Sequence, residues 1–318
     1  MPEIPLLCIL GPTASGKTAL SYEVFYEFRR REIECEIISA DSRQVYKYLN
    51  IGSAKPTKEE LQRTKHHCVD IIDPNDSISA GVFFDYAQKA IEDISQRNKI
   101  PIVVGGSGLY VKALLEGLFV ETITEERAIV RKEIQAILQQ NGKEYLYAQL
   151  RTVDPKAAEY YSDKNPSRVS RALEYYYIHN SSLVDDFTVK NMQVNRLSLN
   201  YVLHPHREVL YNRINQRTVD MFELGLLEEV KEVLSMGFSK NDSGLQMIGY
   251  YEAIQVLEDS ITQKHAIETI QQRTRNYAKR QVTWFKKHPN ASQFIEHSAN
   301  QSKNIVESYL REFEKFLH

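Results

Sequence analysis

The sequence predicts an α/β fold: a parallel sheet core covered by helices on both faces and interrupted by a helical insertion domain. Three observations predict it. Short, unbroken apolar runs alternate with helix-period segments through the first third of the chain, as in parallel strands buried on both faces. The alternation stops after Gly117, and up to about Asn195 only helical patterns follow. A buried-strand pattern then returns at Arg196–Leu203. The 318 residues are 42% hydrophobic and 26% charged, an ordinary globular balance that excludes collagen-like, disordered and small disulfide-stapled chains.

Leu6–Leu10 (LLCIL) reads as the first strand, and a glycine-rich turn follows at once. Thr18–Arg31 is a helix, with Leu20, Val24, Phe25 and Phe28 close to a 3.6-residue period. Glu36–Ser39 is the second strand and Ile100–Val104 the third. Between them lies a helix, Val82–Ser95, with Phe83, Tyr86, Ala90 and Ile94 on its inner face. The insertion contains helices at Glu125–Gln140, Lys143–Leu150, Pro155–Tyr161 and Ser167–His179. Further helices are expected at Arg207–Leu224, Leu226–Met236, Tyr250–Leu257 and Lys264–Lys287. From His288 a turn leads into a short strand (SQFIE) and a last helix, Ile305–Leu317. The expected organisation is a core of 1–117 with 196–290, an insertion of 118–195 and a tail of 291–318.

No apolar run approaches the roughly 20 residues that span a bilayer, and Met1–Leu10 lacks the basic start of a signal peptide. Cys8, Cys35 and Cys68 form no C-x-x-C pair, which fits a reducing cytoplasm and no membrane partner. His66-His67-Cys68 lacks the two spaced ligand pairs usual for zinc. With a net charge of −2 the chain is no polycation, so any nucleic-acid surface must be local. No coiled-coil heptads appear, and a monomer is expected.

Gly11-Pro12-Thr13-Ala14-Ser15-Gly16-Lys17-Thr18 matches G-x-x-x-x-G-K-[ST], with a strand leading in and a helix leading out. Glycines let successive backbone N–H groups turn towards phosphate oxygens, and the helix N-terminus adds its positive end. Lys17 adds a charge, and Thr18 can hold Mg²⁺. The core is therefore of the P-loop NTPase/kinase-like kind, and it binds a phosphorylated ligand. The second strand delivers Asp41 to its C-terminal end, the edge where α/β sheets bind ligands. The third strand ends in Gly105-Gly106-Ser107-Gly108, with no acid.

Five stretches, in order, resemble the tRNA dimethylallyltransferases, the bacterial-type tRNA isopentenyltransferases. They are GPTASGKT (Gly11–Thr18), ISADSRQVYKYLNIGSAKP (Ile38–Pro56), PIVVGGSGLYVKALLEGL (Pro101–Leu118), NPSRVSRALE (Asn165–Glu174) and TRNYAKRQVTWF (Thr274–Phe285). Departures from the family pattern are Tyr48 for Gly, Ser53 and Ser107 for Thr, and Asn276 for a basic residue; Ser keeps the hydroxyl of Thr.

The resemblance implies transfer of a dimethylallyl group from dimethylallyl diphosphate to N6 of the adenosine 3′-adjacent to the anticodon, in tRNAs reading codons that begin with U. The diphosphate leaving group would then lie on Gly11, Thr13, Ala14, Ser15, Gly16, Lys17 and Thr18, with Mg²⁺ on Thr18. N6 is a poor nucleophile, so a base that takes its proton is useful, and Asp41 is the candidate. Gln44 is able to pair with an adenine edge. Ser107 would bond the amine or the diphosphate, and Arg217 would clamp the diphosphate. RNA contacts are expected from Asp41, Ser42, Arg43 and Gln44, from Ser167, Arg168 and Arg171 in the insertion, and from Gln246, Met247, Gly249 and Tyr250. The basic run Gln271–His288 adds Lys279, Arg280, Gln281 and Trp284. A small-molecule P-loop kinase, or an isopentenyltransferase acting on free AMP, is the alternative.

Overall fold

The structure, a computed structural model, describes residues 4–117, 125–185, 197–288, 293–296 and 298–317. The chain divides into two compact units, Met1–Leu115 with Val194–His318 and, separately, Glu116–Gln193. Among the described residues no helix is long and apolar enough to cross a membrane.

The first unit is built on a six-stranded sheet. Its strands are β1 (Leu6–Leu10), β2 (Cys35–Ala40), β3 (His66–His67), β4 (Ile100–Gly105), β5 (Ser198–Leu203) and β6 (Gln293–Ile295). They lie in the order β3-β2-β4-β1-β5-β6, and every pairing is parallel. Each residue of β1 and β2 is buried, as a central parallel strand covered on both faces requires. The one acid in β2, Glu36, is balanced by a bidentate Arg97, by Lys99 and by His67 Nε2 at 2.8 Å. The hydrogen bond from Arg97 holds its carboxyl far below the usual range.

Helices α1 (Lys17–Arg29), α2 (Lys58–Arg63), α3 (Ala80–Gln96) and α4 (Gly108–Glu116) belong to the first half of this unit. The short α2 and β3 have no counterpart among the sequence expectations. α2 buries no residue and is held by a Thr57/Glu60 capping box, so it lacks an apolar stripe to announce it.

The second unit contains α5 (Glu125–Val153), α6 (Pro155–Tyr160) and α7 (Pro166–His179). The two helices expected within 125–150 run as one element broken at Gly142, where φ is 79° and ψ 174°. Its core gathers Ile134, Leu146, Leu150, Val169 and Leu173. The buried Glu174 accepts hydrogen bonds from Arg127, Arg131 and Arg171. Burial raises its pKa, but the Arg127 and Arg131 guanidiniums outweigh burial and lower it on balance.

Back in the first unit, α8 (Arg207–Glu223), α9 (Leu226–Ser235), α10 (Tyr250–Leu257) and α11 (Gln263–Lys287) follow β5. The tail, expected as a separate piece, is part of this unit: β6 extends the sheet beside β5, and α12 (Gln301–Leu317) packs on α1. Ile305, Val306 and Tyr309 join the same core as Leu7, Val24 and Phe28. The Tyr309 ring meets Phe28 edge-on, and its hydroxyl donates to Pro5 O at 2.7 Å. Tyr309→Ala should therefore lower the unfolding free energy by about 3–5 kcal/mol, as for other buried aromatics cut to alanine. Urea unfolding followed by circular dichroism would measure it; a surface-like loss under about 0.5 kcal/mol would contradict this packing.

Candidate active site

The turn from β1 into α1 carries the phosphate-loop motif. Gly16 caps α1 at φ 98°, a left-handed position that suits glycine. Ala14 is also left-handed, at φ 60°. Alternating backbone hands turn successive amides to one side. The first amides of α1 have no acceptor within the helix, and they carry the positive end of its dipole. The buried Ser15 hydroxyl has no hydrogen-bond partner among the described residues.

The Lys17 ammonium folds back over the loop and donates to Pro12 O at 2.7 Å. Burial pulls its pKa from 10.5 to about 8; the Asp41 carboxylate opposes the fall, and Arg217 adds to it. Arg217 rises from α8 and is also lowered by burial, with Asp41 again working the other way. Lys17, Thr18, Asp41 and Arg217 line one cavity of about 250 Å³, with Gln44, Lys55 and His66. Ala54, Lys55, Pro56 and Arg217 also border a second cavity of about 570 Å³, whose apolar wall is Ile51, Leu61, Met221 and Leu224.

Several residues expected to touch substrate are engaged with the protein. The Thr13 N–H, expected on the diphosphate, donates to Gln281 Oε1 at 2.9 Å. The Gln44 carboxamide accepts from Ser39 Oγ at 2.8 Å and donates to Ala54 O at 2.9 Å. Ser107 Oγ accepts from Ser42 N at 2.9 Å and donates to Ser42 Oγ at 3.2 Å, and Asp41 Oδ1 accepts from Arg43 N at 2.9 Å. Ser107 thus pins the loop that bears Asp41. Gly11, at the tip of β1, is buried.

The expected RNA contacts divide in the same way. Gln281 is 7% exposed and Tyr250 is fully buried. Tyr250 donates to Glu229 Oε1 at 2.7 Å, and Glu229 also accepts from the amides of Asn50 and Ile51. Trp284 lies parallel to His288 at 3.9 Å and packs where a Cβ of Gly108 would stand. Gly249 is buried, Met247 is half-buried, and the exposed Gln246 donates to Lys240 O at 2.6 Å. Lys279 and Arg280 remain exposed on α11. In the second unit Ser167 is exposed at the start of α7, Arg168 pairs with Asp163 at 2.9 Å, and Arg171 donates to Glu174 at 2.9 Å.

Sequence reasoning missed Lys55 and His66. In sequence His66 stands out only through the weak His66-His67-Cys68 cluster; its Nδ1 lies 2.9 Å from Thr64 O and its Nε2 3.2 Å from the Tyr22 hydroxyl. Neighbouring His67 is engaged by Glu36, and Cys68 is buried and free. Tyr277 sits under the Arg43 and Arg280 guanidiniums, at 5.1 and 5.7 Å from its ring centre.

By fold and loop this is a P-loop α/β enzyme for a phosphate-bearing substrate. The family model for IPP transferase matches residues 44–288. The tRNA dimethylallyltransferase of Macrococcus caseolyticus is 41% identical over 285 residues, covering 90% of this chain and 88% of its own. The solved tRNA delta(2)-isopentenylpyrophosphate transferase from Staphylococcus epidermidis is similar with a TM-score of 0.67 and 36% identity, covering 98% of this chain and 99% of its own. A eukaryotic dimethylallyltransferase acting on tRNA reaches a TM-score of 0.80 at 27% identity, covering 96% of this chain and 79% of its own. The chain belongs to the IPP transferase family.

Because burial pulls the Lys17 ammonium down to about 8 and only its protonated form attracts an anion, affinity for inorganic diphosphate should fall as pH rises through that value. Between pH 7 and 9 the dissociation constant should rise about tenfold, the ratio of protonated fractions for such a group. Calorimetric titration of the wild type beside Lys17→Met would measure this, since the ligand's own titration is common to both. Equal slopes in the two proteins would contradict it.

Proposed function

We propose that the protein transfers the dimethylallyl group of dimethylallyl diphosphate to N6 of the adenosine 3′-adjacent to the anticodon, in tRNAs reading codons that begin with U. The observation that carries the reading is the convergence of Lys17, Thr18, Asp41 and Arg217 on one cavity. Cations and amides at one side suit a diphosphate leaving group, and a carboxylate beside them suits an amine that must lose a proton.

The N6 lone pair forms a bond to C1 of the allyl group as the C1–O bond breaks, and that electron pair leaves on the diphosphate. Lys17, Arg217 and the loop amides stabilise the charge that develops there. Asp41 takes the N6 proton. Thr18 and the unpartnered Ser15 hydroxyl are hard oxygen donors of the kind Mg²⁺ accepts, and Thr18 would hold the ion. Bound there, Mg²⁺ supplies charge neutralisation on the diphosphate.

The acceptor base has to leave its stack to reach the strand tips, which costs least in a single-stranded loop such as an anticodon loop. Exposed Lys279, Arg280 and Arg168 supply phosphate contacts, which fix register without reading sequence. The three cysteines are buried and none is in a disulfide, which suits a reducing compartment, and we place the protein in the cytoplasm as a monomer.

An unmodified tRNA transcript with A-A-A just 3′ of its anticodon, incubated with Mg²⁺ and dimethylallyl diphosphate, should yield prenylated adenosine by nucleoside mass spectrometry. Asp41→Asn should lower that yield about 10²–10⁴-fold, the usual weight of a general base, with tRNA binding kept. Prenylated AMP in a parallel control, or ATP turnover without prenyl transfer, would overturn the proposal.

A further inference from the structure

The side chain of Gln281 is engaged inside the first unit, on the face of α11 opposite its exposed cations. Oε1 accepts from the Thr13 N–H at 2.9 Å and Nε2 donates to Gly106 O at 2.8 Å. One carboxamide thus ties the phosphate loop after β1 to the tip of β4. A Cβ on Gly106 would stand 2.6 Å from Gln281 Nε2, so the close approach depends on glycine there.

The tie continues across the strand tips. The residue after Gly106, Ser107, holds Ser42 through two hydrogen bonds, and Ser42 is the neighbour of Asp41. One helical turn before Gln281, the Tyr277 ring lies beneath the guanidinium of Arg43, two residues after Asp41. A single helix face therefore touches the three loops that carry the phosphate cradle, the hydroxyl of Ser107 and the carboxylate of Asp41. Gln281 is the member of that face that bonds two of these loops directly.

We propose that Gln281 is a positioning residue, which fixes the phosphate loop relative to the β4 tip and through it the distance from the cradle to Asp41. It acts through Thr13 and Gly106 rather than on substrate. Bonding to Gln281 turns the Thr13 amide away from the cradle, which leaves the following amides and Lys17 to face the phosphate. The part of the inference that concerns Asp41 rests on the prenyl-transfer reading; the part that concerns the phosphate cradle does not.

The test compares wild type, Gln281→Leu and Gln281→Glu. Leucine removes both bonds, whereas glutamate keeps the acceptor but sets a carboxylate oxygen against Gly106 O. Three quantities are measured: inorganic diphosphate binding with Mg²⁺ by calorimetry, kcat and KM for dimethylallyl diphosphate, and tRNA affinity by filter binding. Both variants should bind diphosphate about tenfold more weakly and lose about 10–10²-fold in kcat at saturating substrates, the scale of a misplacement near 1 Å. Their tRNA affinity should stay within about twofold, since the residue is inside the fold.

Weakened tRNA binding with diphosphate binding and kcat intact would overturn the proposal in favour of an RNA contact, and unchanged values throughout would overturn it as well. Should Gln281→Leu fail to fold, Gln281→Asn, whose carboxamide is one methylene too short to reach both Thr13 N and Gly106 O, must show the same split. A Gln281 effect on diphosphate binding in a protein that does not prenylate tRNA would keep the cradle role and refute the reading of the reaction instead.

Discussion

Everything at the strand tips depends on keeping a positive charge where burial works against it. The Lys17 ammonium is pushed down to about 8 by the surrounding protein, and Arg217 beside it is pushed the same way. The helix N-terminus adds further positive potential. Among the described residues no ion pair joins Lys17 to Asp41, although the carboxylate raises the pKa of Lys17 against burial. A close pair would neutralise the ammonium and use up the carboxylate. Kept apart, the cation is available to an anion and the carboxylate to a proton. The separation is held by the loops, which explains why so many polar side chains around the cavity bond to backbone: Gln281 to Thr13 and Gly106, Gln44 to Ala54, Glu229 to Asn50 and Ile51.

The sheet order supplies the frame for that separation. β1 lies between β4 and β5, and β2 lies beyond β4. The phosphate loop, the Gly106–Ser107 tip and the Asp41 loop therefore stand side by side along one carboxyl edge, where open α/β sheets bind ligands. Arg217 reaches the cavity from a helix that follows β5 on the other side of β1. The cavity thus receives its groups from both directions in which the sheet grows.

The phosphate loop was legible in the sequence because it is contiguous: its spacing, the strand before it and the helix after it lie within a few residues. Asp41 was legible from its place at the end of the second strand, and Arg217, which lies in none of the five stretches, only through the family resemblance they carry. Gln281 was not, because its partner Thr13 lies 268 positions away and a glutamine next to two cations reads as part of an RNA surface. Tyr250 misled for a related reason. A tyrosine combines a large apolar ring with a hydroxyl, so a buried ring bonded to Glu229 and a ring stacked on a base leave the same trace in sequence. A last helix was legible at Ile305–Leu317, but only the fold shows that it packs on α1.

The basic run on α11 shows how composition overstates a binding surface. Arg273 is bonded to the fully buried Glu252, and Arg275 reaches Asn215 Oδ1 at 2.6 Å. These two cations join α11 to α10 and α8. Lys279, Arg280, Lys286 and Lys287 are the ones that face water. One helix therefore does two separate jobs, with cations outside for a polyanion and neutral or paired polar groups inside for the loops of the cavity. A protein with net charge −2 needs that segregation, because attraction to RNA has to come from where its cations stand rather than from their total.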